Sequence, residues 1–509
     1  MPKAVCAASR HKKCDEARPF CLTCINSGRE CQGYTIPLDR RTREARDART
    51  VNRLGAPLIQ DPRQQLAPVT GLIRLTDGSQ VSLSPIERDY LHSFRSRTAV
   101  QCSGFGFDPF WQELVHQASE SYPVVRHAVI AISALHQQFI ESVPNKNDSF
   151  AIGQCNKAIG YLRSEIMSNA HPDSAHTERI LIACVVLIAY GLFQGDIEAV
   201  RLHLRAGTKI LYEWRKGSGR KSVFAPVLLH TFVQLHIHWA TATAFKDHIS
   251  GDYPYLGELM SENLSDISAL AEKDERARTT LLLSVRAWMV MITDHTQTKG
   301  QTSNLDEMED FLLDAPSKKS KRFQTQIENC IAFDKDKASP AEQRAALMVK
   351  INRETFQALD IGMKLSGGEV EWDTLQPHFE AIVDAVETLL TSFEDLPDMS
   401  FTIKEGFIGS LMLCGFKCRD WPLRQRVLRL LKKYKRREGV SSTAETIAIL
   451  NRVYELESAW NWPKGPIPES HRITMVMVEE HAKQFHSKPK VHLKYQDGKR
   501  EWQSEWLTI

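Results

Sequence analysis

Five of the eleven cysteines in this 509-residue chain fall within its first 31 positions: Cys6, Cys14, Cys21, Cys24 and Cys31. The other six, Cys102, Cys155, Cys184, Cys330, Cys414 and Cys418, are scattered over the rest. A secreted fold stapled by disulfides spaces its cysteines through the folded body. A cluster at one end, with no framework elsewhere, reads as a metal site in a protein that keeps its thiols reduced. The N-terminus, Met-Pro-Lys-Ala-Val-Cys, has no apolar stretch that would make it a signal peptide. The longest strongly apolar run, Ile180 to Phe193, is fourteen residues, short of the ~20 that a membrane span needs. The expectation is a soluble intracellular protein without a membrane partner.

Spacing narrows the metal. Cys14 to Cys31 runs C-x6-C-x2-C-x6-C, four thiols within 18 residues. Four thiolates so close can surround a tetrahedral zinc ion, with Zn–S near ~2.3 Å. Only Phe20, Leu22 and Ile25 between the outer ligands could be buried, so metal binding must supply the folding free energy. Arg10, His11, Lys12 and Lys13 crowd the first of these ligands. Residues 1–54 carry 12 Lys and Arg against 6 Asp and Glu, although the whole chain is only +3. A small basic head on a nearly neutral body points to a module that binds a polyanion.

The segment RHKKCDEARPFCLTCINSGRECQGY resembles the fungal binuclear zinc cluster, in which six cysteines hold two zinc ions. Cys14, Cys21, Cys24 and Cys31 match that family's third to sixth ligands. The resemblance implies that Arg10, His11, Lys12 and Lys13 lie on or beside the helix the family places in the DNA major groove. There they would meet phosphates and the edges of CGG-type triplets. The first two ligands should stand at positions 4 and 7, where this chain has Ala4 and Ala7, and Ala8 replaces the usual arginine. Cys6 is one residue out of register. Three arrangements fit: Cys6 rescues part of the site, the cluster is degenerate with one zinc or none, or residues 1–9 come from a misjoined first exon. The abrupt onset of the match at Arg10 favours the last.

Residues 35–82 read as a linker. Six arginines from Arg40 to Arg53 alternate with acids, and Pro57, Pro62 and Pro68 break regular structure. Leu38, Val51 and Leu54 make no heptads, so a zipper has no support. The arginines suit a solvated linker, or extra phosphate contact with a nuclear import signal.

From position 83 the pattern is helical. Ser84/Glu87, Ser339/Glu342 and Ser442/Glu445 have capping-box spacing, and Asp108-Pro109 is a further helix start. Helices are expected at 84–97, 109–119, 123–141, 150–168, 174–193, 196–214, 223–247, 266–294, 305–314, 322–333, 340–365, 375–393, 403–417, 422–437 and 443–460. Short connections such as Gln194-Gly195 favour antiparallel hairpins. RITMVMV (472–478), KVHLKY (490–495) and the Asp497-Gly498 turn before Trp502 and Trp506 predict a small C-terminal β element. The fold class is therefore mainly α: a zinc cluster at 1–34, a linker at 35–82, and a large helical body at 83–509.

The phrases FDPFWQELVHQASESYPVVRHAVIAISALH, EAVRLHLRAGTKILYEW and CRDWPLRQRVLRLLKKYKRREG resemble the helical fungus-specific transcription-factor domain. That resemblance implies a regulatory body, a homodimer or heterodimer, and contact with transcription machinery. No enzyme constellation is present. Gly217 to Ser222 only mimics the tail of a phosphate loop. His230, His236 and His238 do not share one helix face, and Cys414 and Cys418 read as core residues. The eight basic residues from Arg424 to Arg437 read as a solvated helix face over an apolar stripe, with KKYKRR (432–437) as an alternative import signal. The expected function is a nuclear, zinc-dependent DNA-binding regulator of RNA polymerase II genes. The rival is a co-regulator or dimer partner whose degenerate head no longer binds DNA.

Overall fold

The structure is a computed structural model. It describes residues 83–105, 108–141, 148–168, 173–242, 340–363, 368–392, 399–404, 406–458, 467–482, 490–497 and 501–508, with residues 5–6 and 34–35 and single positions 255, 259 and 365. The expected helices at 266–294, 305–314 and 322–333, the Ser339 cap and the Arg40 to Arg53 run lie outside the described residues. The chain divides into two compact units, Met1–Arg63 and Gln64–Ile509.

The second unit is mainly helical, as the sequence predicts. We number its helices α1 (Pro85–Ser93, continuing as helix to Cys102), α2 (Val115–Ser121, entered through a wide turn at Phe110–Leu114), α3 (Pro123–Glu141) and α4 (Asp148–Ser168). There follow α5 (Ser174–Gln194), α6 (Ile197–Lys216), α7 (Ala225–Ala242), α8 (Pro340–Met363), α9 (Gln376–Thr391), α10 (Ile408–Lys417), α11 (Trp421–Lys433) and α12 (Thr443–Ser458). Helix α3 shows why these segments fold so. Val125, Val129, Ile132 and Leu135 recur at helical spacing and are all buried, with Phe139 packed at the edge.

Caps set the boundaries. The Ser84 hydroxyl accepts from the Glu87 N–H at 3.3 Å, while the Glu87 carboxylate accepts from the Ser84 N–H at 2.9 Å. At α12 the Ser442 hydroxyl accepts from the Glu445 N–H at 3.1 Å. Asp108 accepts from the Phe110 N–H at 2.8 Å. The α5–α6 hairpin turns on Gly195, whose φ of 65° is left-handed. Asp196 N–H donates to Gly191 O and Gly195 N–H to Leu192 O, a Schellman closure, and the Asp196 carboxylate then caps α6 through Ala199 N–H.

Helix α5 is 21 residues, seven longer than the apolar run read from sequence, and is long and apolar enough to cross a membrane. It packs as a core helix: 67% of its most apolar stretch is buried inside the body. Around it lies the first of two hydrophobic cores, built from α1 to α7. The second is built from α8 to α12 and the inner face of a C-terminal sheet. That sheet is an antiparallel meander of β6 (Met475–Ala482), β7 (Lys490–Gln496) and β8 (Trp502–Thr508). The β pattern read there is thus present, with a third strand.

One sheet was not expected. Strand β3 (Met399–Thr402) pairs in parallel with β4 (Lys435–Glu438), which pairs antiparallel with β5 (Ser441–Ser442). Consequently the helix expected at 403–417 begins only at Ile408, and the one expected at 422–437 ends at Lys433. The partners are 36 positions apart in register, Met399↔Lys435, so local periodicity carried no trace of the pairing.

Candidate functional site

In the first unit, two short strands are described: β1 (Val5–Cys6) and β2 (Tyr34–Thr35), antiparallel, with Cys6 opposite Tyr34. This pairing brings the backbone of Cys6 beside a residue three positions beyond Cys31 in sequence. Cys14, Cys21, Cys24, Cys31, Arg10, His11, Lys12 and Lys13 lie outside the described residues. The donor chemistry of the segment, four thiols at close spacing with Cys6 drawn to its far end, fits a tetrahedral zinc.

The described part of the body offers no rival metal centre. Among the described residues, no group of three or more His, Cys, Asp and Glu side chains could hold a metal ion. Cys102, Cys155, Cys184, Cys414 and Cys418 are free and buried. Burial pushes the Cys418 thiol up to about 11 and the Cys184 thiol to about 12, so neither is a ready thiolate. The Cys414 Sγ–H points at the Phe379 carbonyl, 3.8 Å away, as a core thiol does. His236 bonds Thr208 at 2.6 Å inside the first core. Burial lowers the His230 imidazole to about 4 and also depresses His238. All three are packed in the body, and burial favours the neutral form of His230 and His238.

The basic run at 424–437 is not a continuous solvated face. Arg424 is 2% exposed. Its guanidinium donates to Glu457 at 2.6 Å and to the Cys418 carbonyl at 2.6 Å, and lies over the Tyr454 ring. Arg426 bridges Asp384 and Glu387 at 2.7 Å each. Arg436 and Glu438, on one side of β4, are buried and paired at 2.8 Å. The Glu438 carboxylate also accepts from the N–H groups of Gly406, Phe407 and Ile408, the start of α10. Arg437, on the other side of β4, donates to the carbonyls of Leu192 and Phe193 at the end of α5. Only Arg429, Lys432, Lys433 and Lys435 of the run remain exposed. The last two residues of KKYKRR are therefore structural, joining the two cores, and of the expected stripe Leu423, Val427, Leu430 and Leu431 are buried while Tyr434 is half-buried at its end.

A second buried charge cluster lies beside it. Lys417 and Arg419 both reach Glu369, Arg419 also reaches Glu457, and Arg472 forms a two-pronged pair with Asp373 at 2.7 and 2.8 Å. Glu469 accepts from the Glu369 and Val370 N–H groups. The charges are paired with one another, as buried charges must be, although Glu369 Oε2 and Arg419 Nε make no hydrogen bond. Sequence spacing could not have found them, because the partners lie between 33 and 103 positions apart, from Arg424–Glu457 to Arg472–Glu369.

Comparison with known proteins identifies both parts. The profile of the fungal Zn(2)-Cys(6) binuclear cluster domain matches residues 6–41. The profile of the fungal specific transcription factor domain matches residues 90–464. The chain is 26% identical over 216 residues to the transcription regulator lscL of Purpureocillium lilacinum, covering 40% of this chain and 48% of that protein. It is 26% identical over 211 residues to the aspercryptin biosynthesis cluster-specific transcription regulator atnN of Emericella nidulans, covering 40% of this chain and 33% of that protein. The chain thus spans half or less of the curated relatives it matches. No solved structure matches it. The chain belongs to the fungal specific transcription factor domain family, with a Zn(2)-Cys(6) cluster domain ahead of that body.

Proposed function

We propose that the chain is a zinc-dependent, DNA-binding transcription regulator acting in the nucleus. The observation that carries this reading is the profile match across the cysteine head, ahead of a helical body with no cluster of metal-binding side chains among its described residues. Cys14, Cys21, Cys24 and Cys31 hold zinc, and Cys6, whose strand pairs with Tyr34, supplies at most one of the two ligands that the alanines at positions 4 and 7 leave open. Zinc folds a segment that has almost nothing apolar to bury. Arg10, His11, Lys12 and Lys13 contact phosphates and the edges of CGG-type half-sites. The linker at 35–82 follows, and the body at 83–509 regulates, through a dimer partner or transcription machinery.

Ala4 and Ala7 favour one second reading: a co-regulator whose head does not read DNA. Zinc content of the purified full-length chain, by elemental analysis, separates them. Two ions per chain support the complete cluster, and one supports a remnant on Cys14 to Cys31. A chain that purifies without zinc and stays folded overturns the zinc-dependent reading.

A further inference from the structure

Strand β8 closes the C-terminal sheet as an open edge. All seven of its residues pair with β7, from Gln496↔Trp502 to Lys490↔Thr508, and no strand among the described residues takes its other side. Natural edge strands are usually blunted by lysine, proline or a bulge. This one, Trp-Gln-Ser-Glu-Trp-Leu-Thr, has none of them. Its single charge, Glu505, is taken by Arg452 of α12 at 2.7 Å.

Strand alternation places Trp502, Ser504 and Trp506 together on the outer face. The two indoles are 44% and 48% exposed. Neither is loose: the Lys494 ammonium lies 5.1 Å from the Trp502 ring centre, and the His492 ring 5.0 Å from that of Trp506. The outer face therefore presents a fixed aromatic pair beside a backbone edge that no described strand pairs with.

The pattern Trp502-x-Ser504-x-Trp506 is palindromic about Ser504. We propose that β8 is a self-pairing edge, joining two copies of the chain antiparallel about Ser504 into one six-stranded sheet. In that register Trp502 of each copy stands opposite Trp506 of the other, and Gln503 opposite Glu505. Both indole pairs form at once, a cross-strand aromatic contact of the kind that stabilises sheets. Centring the pair on Gln503 or Glu505 sets each indole against a small or polar residue instead. The self-complementarity of the edge argues for a second copy over a foreign strand. This assignment is independent of whether the head binds DNA.

The test uses the full-length chain in sedimentation velocity over a wide concentration range, with cysteine crosslinking. The expected result is a concentration-dependent dimer. In the Trp502→Ala/Trp506→Ala variant, which changes only exposed side chains, it weakens roughly 10- to 100-fold, from the loss of two aromatic pairs and their buried area. A Ser504→Cys variant crosslinks under mild oxidation, since directly opposed residues have Cα atoms about 4.5–5.5 Å apart, within disulfide reach. Gln503→Cys, which does not face its own copy, crosslinks poorly. A chain that stays monomeric, a dimer untouched by the double alanine, equal crosslinking at 503 and 504, or an edge that takes up only a foreign strand each overturns the proposal.

Discussion

Arg437 reaches 245 positions back along the chain to donate its guanidinium Nη2–H to the carbonyl of Leu192 at 2.6 Å. Leu192 is in the last turn of α5, whose end carbonyls have no helical partner and collect negative potential. A half-buried arginine from the second half of the body thus closes a helix of the first. Replacing it by methionine leaves those carbonyls unpaired. Arg437→Met should lower the unfolding free energy by about 1–3 kcal/mol in urea titration. Lysine should recover only part of the loss, because it cannot reproduce the fork that spans Leu192 and Phe193.

Glu438 does the complementary work on the other side of the same strand. Its carboxylate receives three N–H groups at the start of α10 and the Arg436 guanidinium. Glu438→Gln would leave Arg436 charged and unpaired in a buried site. The expected cost is about 3–5 kcal/mol. An Arg436→Met change added to it should recover part of that cost, and a double-mutant cycle in denaturant measures how much.

Gly439, directly after β4, has φ of 54°, and a Cβ there would sit 1.9 Å from His238 Nε2. Gly439→Ala should therefore cost about 1–2 kcal/mol for the left-handed backbone alone. Displacing the buried His238 ring adds to that. Thermal unfolding should show a clear drop in Tm. By contrast, Gly153→Ala, where a Cβ meets nothing within 4 Å in helix α4, should hold or raise it.

Glu87 gives a pH prediction with a definite sign. Burial alone would raise its carboxyl, but hydrogen bonds from Gln154, the Ser84 backbone, Lys157 and the Ser84 hydroxyl prevail and lower it to about 2. A carboxylate whose folded value lies below its unfolded value stabilises the fold above the unfolded value and loses that contribution as pH falls. The contribution of Glu87 is therefore complete above about 4.5 and fades as pH falls toward 2. Glu87→Gln should destabilise at neutral pH, and the difference from wild type should shrink across that window in acid titrations of stability.

These predictions cluster where the sequence was hardest to read. Helix α3, the Ser84 cap and the Gln194-Gly195 hairpin were legible because each is set by residues within a few positions of one another. The β3–β4 pair was not, because Lys435-Arg436-Arg437-Glu438 carries no alternation of apolar and polar residues. Its stability comes from charges whose partners lie far along the chain. KKYKRR illustrates the difference: by sequence a solvated basic string, by structure a helix end followed by a strand that holds two cores together. The head is the reverse case. Its ligand spacing and basic run were legible in sequence, the family profile covers residues 6–41, and the described structure adds only the pairing of Cys6 with Tyr34.

The most direct test of the central claim is the affinity of the full-length chain for a CGG-containing duplex, measured by fluorescence anisotropy at rising salt. If about four phosphates are neutralised, affinity should fall roughly 100-fold between 50 and 200 mM salt. It should also be lost in the Cys14→Ala/Cys21→Ala variant. Affinity that ignores salt, or a double-alanine variant that binds as well as wild type, would contradict a zinc-folded head that reads DNA.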